Sequence, residues 1–281
     1  MSRDGKDRNP KGRRNERRGK PKPGFRGKKG KFDNRDKKNF VNPNDELIRL
    51  NKYIAHSGVC SRREADTLIS QGLISVNGEI VTELGTKVKR TDEVKYAGER
   101  LNTETLRYVL LNKPKDYITT SKDPQNRKTV MHLVEKACKE RLFSVGRLDR
   151  HTTGVLLLTN DGDLAKKLTH PSHGVNKVYH VTLDKNLKPD DFEKIASGVT
   201  LEDGKAQVDK IAYVGGKKSE IGLELHIGKN RIDRRIFEHF GYTVIKLDRV
   251  SFAGLTKKNI PRGKFRHLKD KEINFLKMTI K

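Results

Sequence analysis

The chain has 281 residues, 35% of them charged and 33% hydrophobic, with a formal net charge of +26. That length allows one large domain or two ordinary ones, and the modest apolar fraction leaves part of the chain outside any core. The charge favours a polyanionic partner, nucleic acid foremost, while the absence of an apolar run of about 18 residues argues against a membrane span. The charged start lacks the apolar core of a secretory signal. Two distant cysteines, Cys60 and Cys138, predict no disulfide framework and a reducing cytoplasm. His170 and His173 lack further ligands nearby, so no metal site is expected.

Residues 1–44 hold 17 Lys/Arg and 5 Asp/Glu, with six glycines and four prolines. Such a segment cannot bury enough surface to offset its chain entropy, which predicts a disordered basic arm. It either adds RNA affinity by counterion release or serves as a solubilising leader.

Residues 45–105 read as a small separate module. Leu47, Leu50 and Ile54 share a helical face, and the helix ends near Gly58. Ser61-Arg62-Arg63-Glu64 is a capping box for a second helix, with Ala65, Leu68 and Ile69 inward and Gly72 at its end. Asn77-Gly78 between Ile74–Val76 and Ile80-Val81 predicts a hairpin, and Val94 and Tyr96 a further strand. Arg62 and Arg63 sit in a first helical turn, where the helix dipole disfavours cations. A bound phosphate reverses that penalty; exposed arginines also tolerate it.

From Tyr108 the pattern is that of a larger α/β domain. Tyr108–Leu111 is a buried strand leading to Asn112-Lys113-Pro114. Val130, Leu133, Val134 and Ala137 have helical spacing. Phe143 and Val145 then read as a half-buried strand, and Val155–Leu158 as a strand buried on both faces. The turn between them carries Arg147, Asp149, Arg150 and His151. It is either a rigid site displaying a carboxylate or a tight turn in which Asp149 bonds its own backbone. Asp163 is expected to cap the next helix, which stops at Pro171, and Asp161 to shape a turn.

Tyr179, Val181 and Leu183 alternate on the next strand, where Tyr179 can be an ordinary sheet tyrosine. Asp190–Ser197 reads as a helix, and Ile211–Val214 and Ile221–Ile227 as strands. Asn230 to Gly241 predicts a capped helix with Ile232, Ile236, Phe237 and Phe240 inward. Arg231, Arg234 and Arg235 gather near its start, so an anion is expected there. A strand over Thr243–Val250 and a helix over Asp270–Met278 finish the chain.

Two sets of residues carry a resemblance. Arg49-Leu50-Asn51-Lys52-Tyr53-Ile54-Ala55, Gly58 to Ala65 and Val76-Asn77-Gly78 resemble the alpha-L RNA-binding module. Gly146-Arg147-Leu148-Asp149 through Asn160-Asp161-Gly162 resembles the signature of pseudouridine synthases of the RsuA/RluB branch. Asn112-Lys113-Pro114, Lys177-Val178-Tyr179, Gly228 to Arg235 and Leu247-Asp248-Arg249-Val250 match further blocks in order, and Gly198 to Gly204 looks closest to the RluB-like enzymes.

The resemblance implies an α+β fold: a small αα-β-hairpin RNA-binding module, then a catalytic domain over 106–281 whose central, mostly antiparallel mixed sheet is flanked by helices. It implies isomerisation of a flipped-out uridine in ribosomal RNA, large-subunit first and small-subunit as the alternative. A catalytically inactive ribosome-assembly factor is a further alternative. Asp149 matches the catalytic aspartate, which attacks ribose or base. Tyr179 matches the stacking tyrosine implicated in removal of the C5 proton, and Arg234 the arginine that pairs with the aspartate. Arg147 matches a nucleotide-holding residue and Leu247 a pocket wall. Arg231, Lys113, Arg49, Lys52, Arg62 and Arg63 complete the expected RNA-contacting set. No metal or organic cofactor is implied, and no obligate protein partner; a monomer in the cytoplasm is expected. Two departures stand out. Ile232-Asp233 occupy positions where Gln or Glu and then Val or Ile are usual, and Asp116 stands where glycine is common.

Overall fold

Two short helices and a set of short strands make the first module. The computed structural model describes residues 47–279, so the predicted arm at 1–44 lies outside the described residues. β1 (Ile48–Arg49) leads into α1 (Leu50–His56), and α2 (Arg62–Ser70) follows a turn. Ser61 Oγ accepts from the Glu64 amide at 3.3 Å, and the Glu64 carboxylate accepts from the Ser61 amide at 2.8 Å, closing the capping box. β2 (Ile74–Val76) and β3 (Glu79–Ile80) meet at Asn77-Gly78, where φ values of 51° and 92° give the twist a hairpin needs. β4 (Lys87–Val88) pairs with β1, while β5 (Val94–Tyr96) and β6 (Glu99–Arg100) complete a sheet ordered β3-β2-β5-β6. Leu50, Tyr53, Ile54, Ala65, Ile69 and Ile74 close one core between helices and strands. Leu47 is exposed, because the helix begins only at Leu50.

The second domain runs through β7 (Tyr108–Lys113), α3 (Val130–Val134), β8 (Phe143–Ser144), β9 (Thr153–Thr159), α4 (Gly162–Thr169), β10 (Lys177–Leu183) and α5 (Pro189–Ser197). It continues with β11 (Val199–Leu201), β12 (Gly204–Ala206), β13 (Lys210–Val214), β14 (Lys217–Leu225), α6 (Ile232–Glu238), β15 (Val244–Phe252), β16 (Leu255–Thr256), β17 (Phe265–His267) and α7 (Asp270–Thr279). The main sheet has the order β13-β14-β10-β15-β9-β7-β17, with β8 on β9 and β16 on β15. β15 and β9 are parallel, whereas the flanking pairs β10–β15 and β7–β9 are antiparallel. The sheet is therefore mixed and mostly antiparallel, flanked by helices.

β9 is buried on both faces, as its continuous apolar run requires. Val155 and Leu157 pack with Leu164 and Leu168 of α4 and Leu276 of α7. Leu156 and Leu158 pack with Val130 and Val134 of α3. The other half of the sheet has its own core, in which Val181, Ile221, Leu223 and Leu247 meet Ile195 of α5 and Ile232, Ile236 and Phe237 of α6.

Two predicted caps move by a residue or two. Asp161, not Asp163, caps α4: its Oδ1 accepts from the Leu164 amide at 3.0 Å. Asp163 lies inside the helix and pairs instead with Lys52 at 2.7 Å. At α6 the N-cap is Arg231, with φ 45° and no side-chain cap bond, rather than Asn230.

Candidate active site

The site forms where β9 runs beside β15. Gly154 (φ +107°) lies against the Arg249 backbone, and a Cβ there would collide with the Arg249 carbonyl oxygen and stand 2.6 Å from Asp248 Oδ1. Glycine alone allows this approach. Just before β9, residues 145–152 form the turn that carries Asp149. Beneath it lies Lys113, fully buried at the end of β7. Its Nζ donates to the carbonyls of Pro114 (3.1 Å), Asp149 (3.1 Å), Arg150 (3.2 Å) and Thr152 (2.8 Å). The Thr119 hydroxyl donates to the Leu148 carbonyl at 2.9 Å, and the Asp116 amide to the Arg150 carbonyl at 2.9 Å. The backbone is thus held on both sides of Asp149, while its side chain stays exposed. Burial, offset by Asp116 and Asp149, brings the Lys113 pKa down to about 8. Asp116 has φ +69°, a conformation that favours glycine and that aspartate tolerates.

Asp149 opens onto a cleft of about 310 Å³ that Arg147, Thr152, Lys177, Tyr179, Asp233 and Arg249 also line. Tyr179 on β10 and Arg249 on β15 are register partners. Arg249 is 2% exposed; its Nε donates to the Val155 carbonyl at 2.8 Å and its guanidinium carbon lies 4.6 Å from the Phe252 ring centre. Burial lowers the Arg249 pKa, opposed by its contact with the Tyr179 hydroxyl and the charge of Asp233. Tyr179 is pushed up to about 12, by burial above all, so its phenol is neutral near pH 7. Asp233 is pushed up to about 6 by burial and then by Asp149, with Arg234 opposing. Lys177 Nζ donates to the carbonyls of Val175 (3.0 Å) and His226 (2.7 Å), and burial followed by Arg249 brings its pKa down to about 8.

Thr152 Oγ1 and Arg249 Nη2 are buried without a hydrogen-bond partner among the described residues. Buried polar atoms in a cleft favour a ligand that can bond them. A rigidly mounted carboxylate in a cleft that a buried aromatic residue also lines suits nucleophilic attack on a planar, polar substrate.

The predicted residues divide between this cleft and elsewhere. Asp149, Tyr179, Arg147 and Arg231 line it. Arg234 does not: its Nη1 donates to the Val244 carbonyl at 2.9 Å, and the expected buried pair with Asp149 is absent among the described residues. The reason lies at the start of α6. Arg231 takes a left-handed turn, Ile232 enters the core, and Asp233 takes the cleft-facing place. The anions paired with these arginines are Asp203, 2.7 Å from Arg235, and Glu238, 3.4 Å from Arg231, while half-buried Asp233 lies in the cleft; the guanidinium beside Tyr179 is that of Arg249. Leu247 is 1% exposed in the core opposite Val181 rather than on the cleft wall. Lys113 binds loop carbonyls and has no surface to offer RNA.

Arg147 also lines a second cleft of about 770 Å³, with Arg62, Arg141 and Lys166, between the small module and the catalytic domain. Arg63 and Arg49 are exposed, and Lys52 is held by Asp163. Sequence reading flagged Asp233 only as a departure beside Arg234 and passed over Lys177 and Arg249 as site residues. Arg249 had a signal, since strand alternation places it on the buried side with Leu247.

Residues 107–239 match the family described as RNA pseudouridylate synthase, and residues 48–94 match the S4 domain. Ribosomal large subunit pseudouridine synthase B of Bacillus subtilis (strain 168) is 40% identical over 236 residues, which cover 82% of this chain and 96% of that protein. Dual-specificity RNA pseudouridine synthase RluF of Escherichia coli (strain K12) is 36% identical over 236 residues, 82% of this chain and 78% of that one. A crystal structure of a pseudouridylate synthase matches with TM-score 0.59 and 28% identity, covering 82% of this chain and 99% of the other. These matches place this chain in the RNA pseudouridylate synthase family, as a member with an N-terminal S4 domain.

Proposed function

We propose that this protein converts a uridine of large-subunit ribosomal RNA to pseudouridine. The observation that carries the reading is the Asp149 carboxylate, displayed on a pinned turn in the cleft that buried Tyr179 also lines, in a member of this family. The large-subunit substrate is supported by the named relative from Bacillus subtilis. The uridine leaves its stack, at a cost of a few kcal/mol, and stacks against Tyr179. Asp149 helps to break the N-glycosidic bond, and the uracil turns and rejoins through C5. Arg147 and the basic cleft reaching Arg62 hold the backbone phosphates that offset the cost of flipping. A boundary near residue 105 between the two domains is supported by sheet membership, since β6 belongs to the small sheet and β7 to the large one.

The test is Asp149→Asn in the full chain. It is expected to abolish pseudouridine formation while leaving RNA affinity within about twofold, because the carboxylate is exposed and the loop is held by backbone bonds. Product formed at the normal rate sinks the assignment. Mapping pseudouridines in ribosomal RNA from a deletion strain identifies the site. Loss of a small-subunit pseudouridine instead reassigns the substrate.

A further inference from the structure

The stretch from Gly198 to Gly204 carries part of the sequence resemblance but has no part in the chemistry of Asp149 and Tyr179. It spans β11 and the turn into β12, with Glu202-Asp203 at the tip and Gly204 (φ +99°) closing the turn. The base of the hairpin is fixed: Val199 and Ala206 pair in register and are buried in one core with Ile236 and Phe237 of α6. Its tip reaches the segment between β14 and α6. The Arg235 guanidinium donates to both Asp203 carboxylate oxygens, at 2.7 and 2.9 Å, and Lys229 Nζ donates to the Asp203 carbonyl at 2.6 Å. Arg235 Nη1 also reaches the Asn230 carbonyl at 3.4 Å. A two-pronged guanidinium–carboxylate pair fixes direction as well as distance. A Cβ at Gly204 would stand 3.4 Å from Lys229 Nζ, so the lysine passes close over the turn.

Residues 228–231 line the same cleft as Asp149. They belong to neither helix nor strand, and the Ile232 amide reaches the Lys229 carbonyl only at 3.4 Å. A wall with so little backbone bonding opens easily unless side chains from outside hold it. We propose, resting on the reading of this cleft as the catalytic site, that Asp203 is a positioning residue for the reaction: through Lys229 and Arg235 it fixes the wall formed by residues 228–231, so that a nucleotide flipped into the cleft meets Asp149 in one orientation. Asp203 is itself outside the cleft lining and touches no reacting atom. Its effect therefore falls on the chemical step, which depends on orientation, more than on RNA affinity, which rests on phosphate contacts elsewhere.

The experiment combines hydrogen exchange of the free full chain, read by mass spectrometry over residues 226–231, with single-turnover kinetics on ribosomal RNA from a deletion strain. For Asp203→Ala, exchange in that segment speeds up about fivefold and the rate at saturating enzyme falls about fivefold, the scale of one partly exposed ion pair. The half-saturating concentration stays within about twofold, and Asp203→Glu recovers most of the rate. Arg235→Ala repeats the exchange change, and the double variant adds nothing to it. Asp203→Asn supplies the same readouts should the alanine variant fail to fold. Unchanged exchange, faster exchange with an unchanged rate, or a loss confined to half-saturation each overturns the proposal; the last would mean that Asp203 acts on the RNA through its charge alone. Asp149→Asn, run alongside, keeps the two ideas apart. Its inactivity upholds the site whatever Asp203 does, and its activity removes the site while the exchange result still reports on the wall.

Discussion

Lys113 reads in sequence as a cation before a proline, free to meet a phosphate. In the fold its ammonium group gathers carbonyls from both sides of Asp149. Lys113→Met keeps most of the stem volume but leaves those carbonyls without their donor, at about 1–3 kcal/mol for each one buried. The expected outcome is a lower thermal midpoint and a turnover loss larger than the loss in RNA affinity; turnover at the wild-type level counts against the pinning role. Asp233 supplies a pH-dependent prediction. Its carboxyl is raised from the ordinary range to about 6, so between roughly pH 4 and 6 the folded chain holds a proton that the unfolded chain has lost. Its contribution is therefore full below the unfolded value and is lost as pH rises through about 6. Asp233→Asn cannot ionise, so its thermal midpoint relative to wild type should rise from pH 4 to pH 7. A constant difference across that range would show that Asp233 is not perturbed.

At the scale of elements, the decisive contact is the short parallel pairing of β9 with β15, at Thr153 opposite Asp248 and Gly154 opposite Arg249. It joins two otherwise antiparallel halves and sets Asp149, at the head of β9, beside Arg249 and Tyr179. Gly154→Ala meets both a left-handed φ and the Arg249 carbonyl. It should cost about 3 kcal/mol or more, and denaturant unfolding checks this; a loss below about 1 kcal/mol would mean the strands separate easily. The start of α6 teaches a different point. Apolar spacing located the helix and its inward face correctly, through Ile232, Ile236 and Phe237. It could not tell which of Arg231, Asp233 and Arg234 faces the cleft. That depends on the left-handed turn at Arg231 and on where β15 lies, and neither is local to the helix.

Across the whole molecule, charges tie the S4 module to the catalytic domain. Lys52 pairs with Asp163 at 2.7 Å and Glu64 with Lys122. These pairs are partly exposed, so Lys52→Ala should change stability by less than about 1 kcal/mol, measured by chemical denaturation; a larger loss would make the pair a structural anchor. Deleting residues 1–44, which carry a net +12, should weaken RNA binding and flatten the slope of log affinity against log salt. An unchanged slope would make that segment a leader without a binding role.

The two helices of the small module, the hairpin at Asn77-Gly78, the doubly buried β9 and the presence of a turn at Asp149 were determined by sequence alone, because each rests on local spacing and turn chemistry; that the turn displays the carboxylate was decided by the tertiary structure. Partners chosen across the chain were decided only by the tertiary structure. Lys113 lies under the loop, Arg249 rather than Arg234 lies beside Tyr179, and Asp233 lies within reach of the charge of Asp149. Each depends on strand register and burial between segments tens of residues apart, where the cost of burying a charge is set by neighbours that no local pattern names.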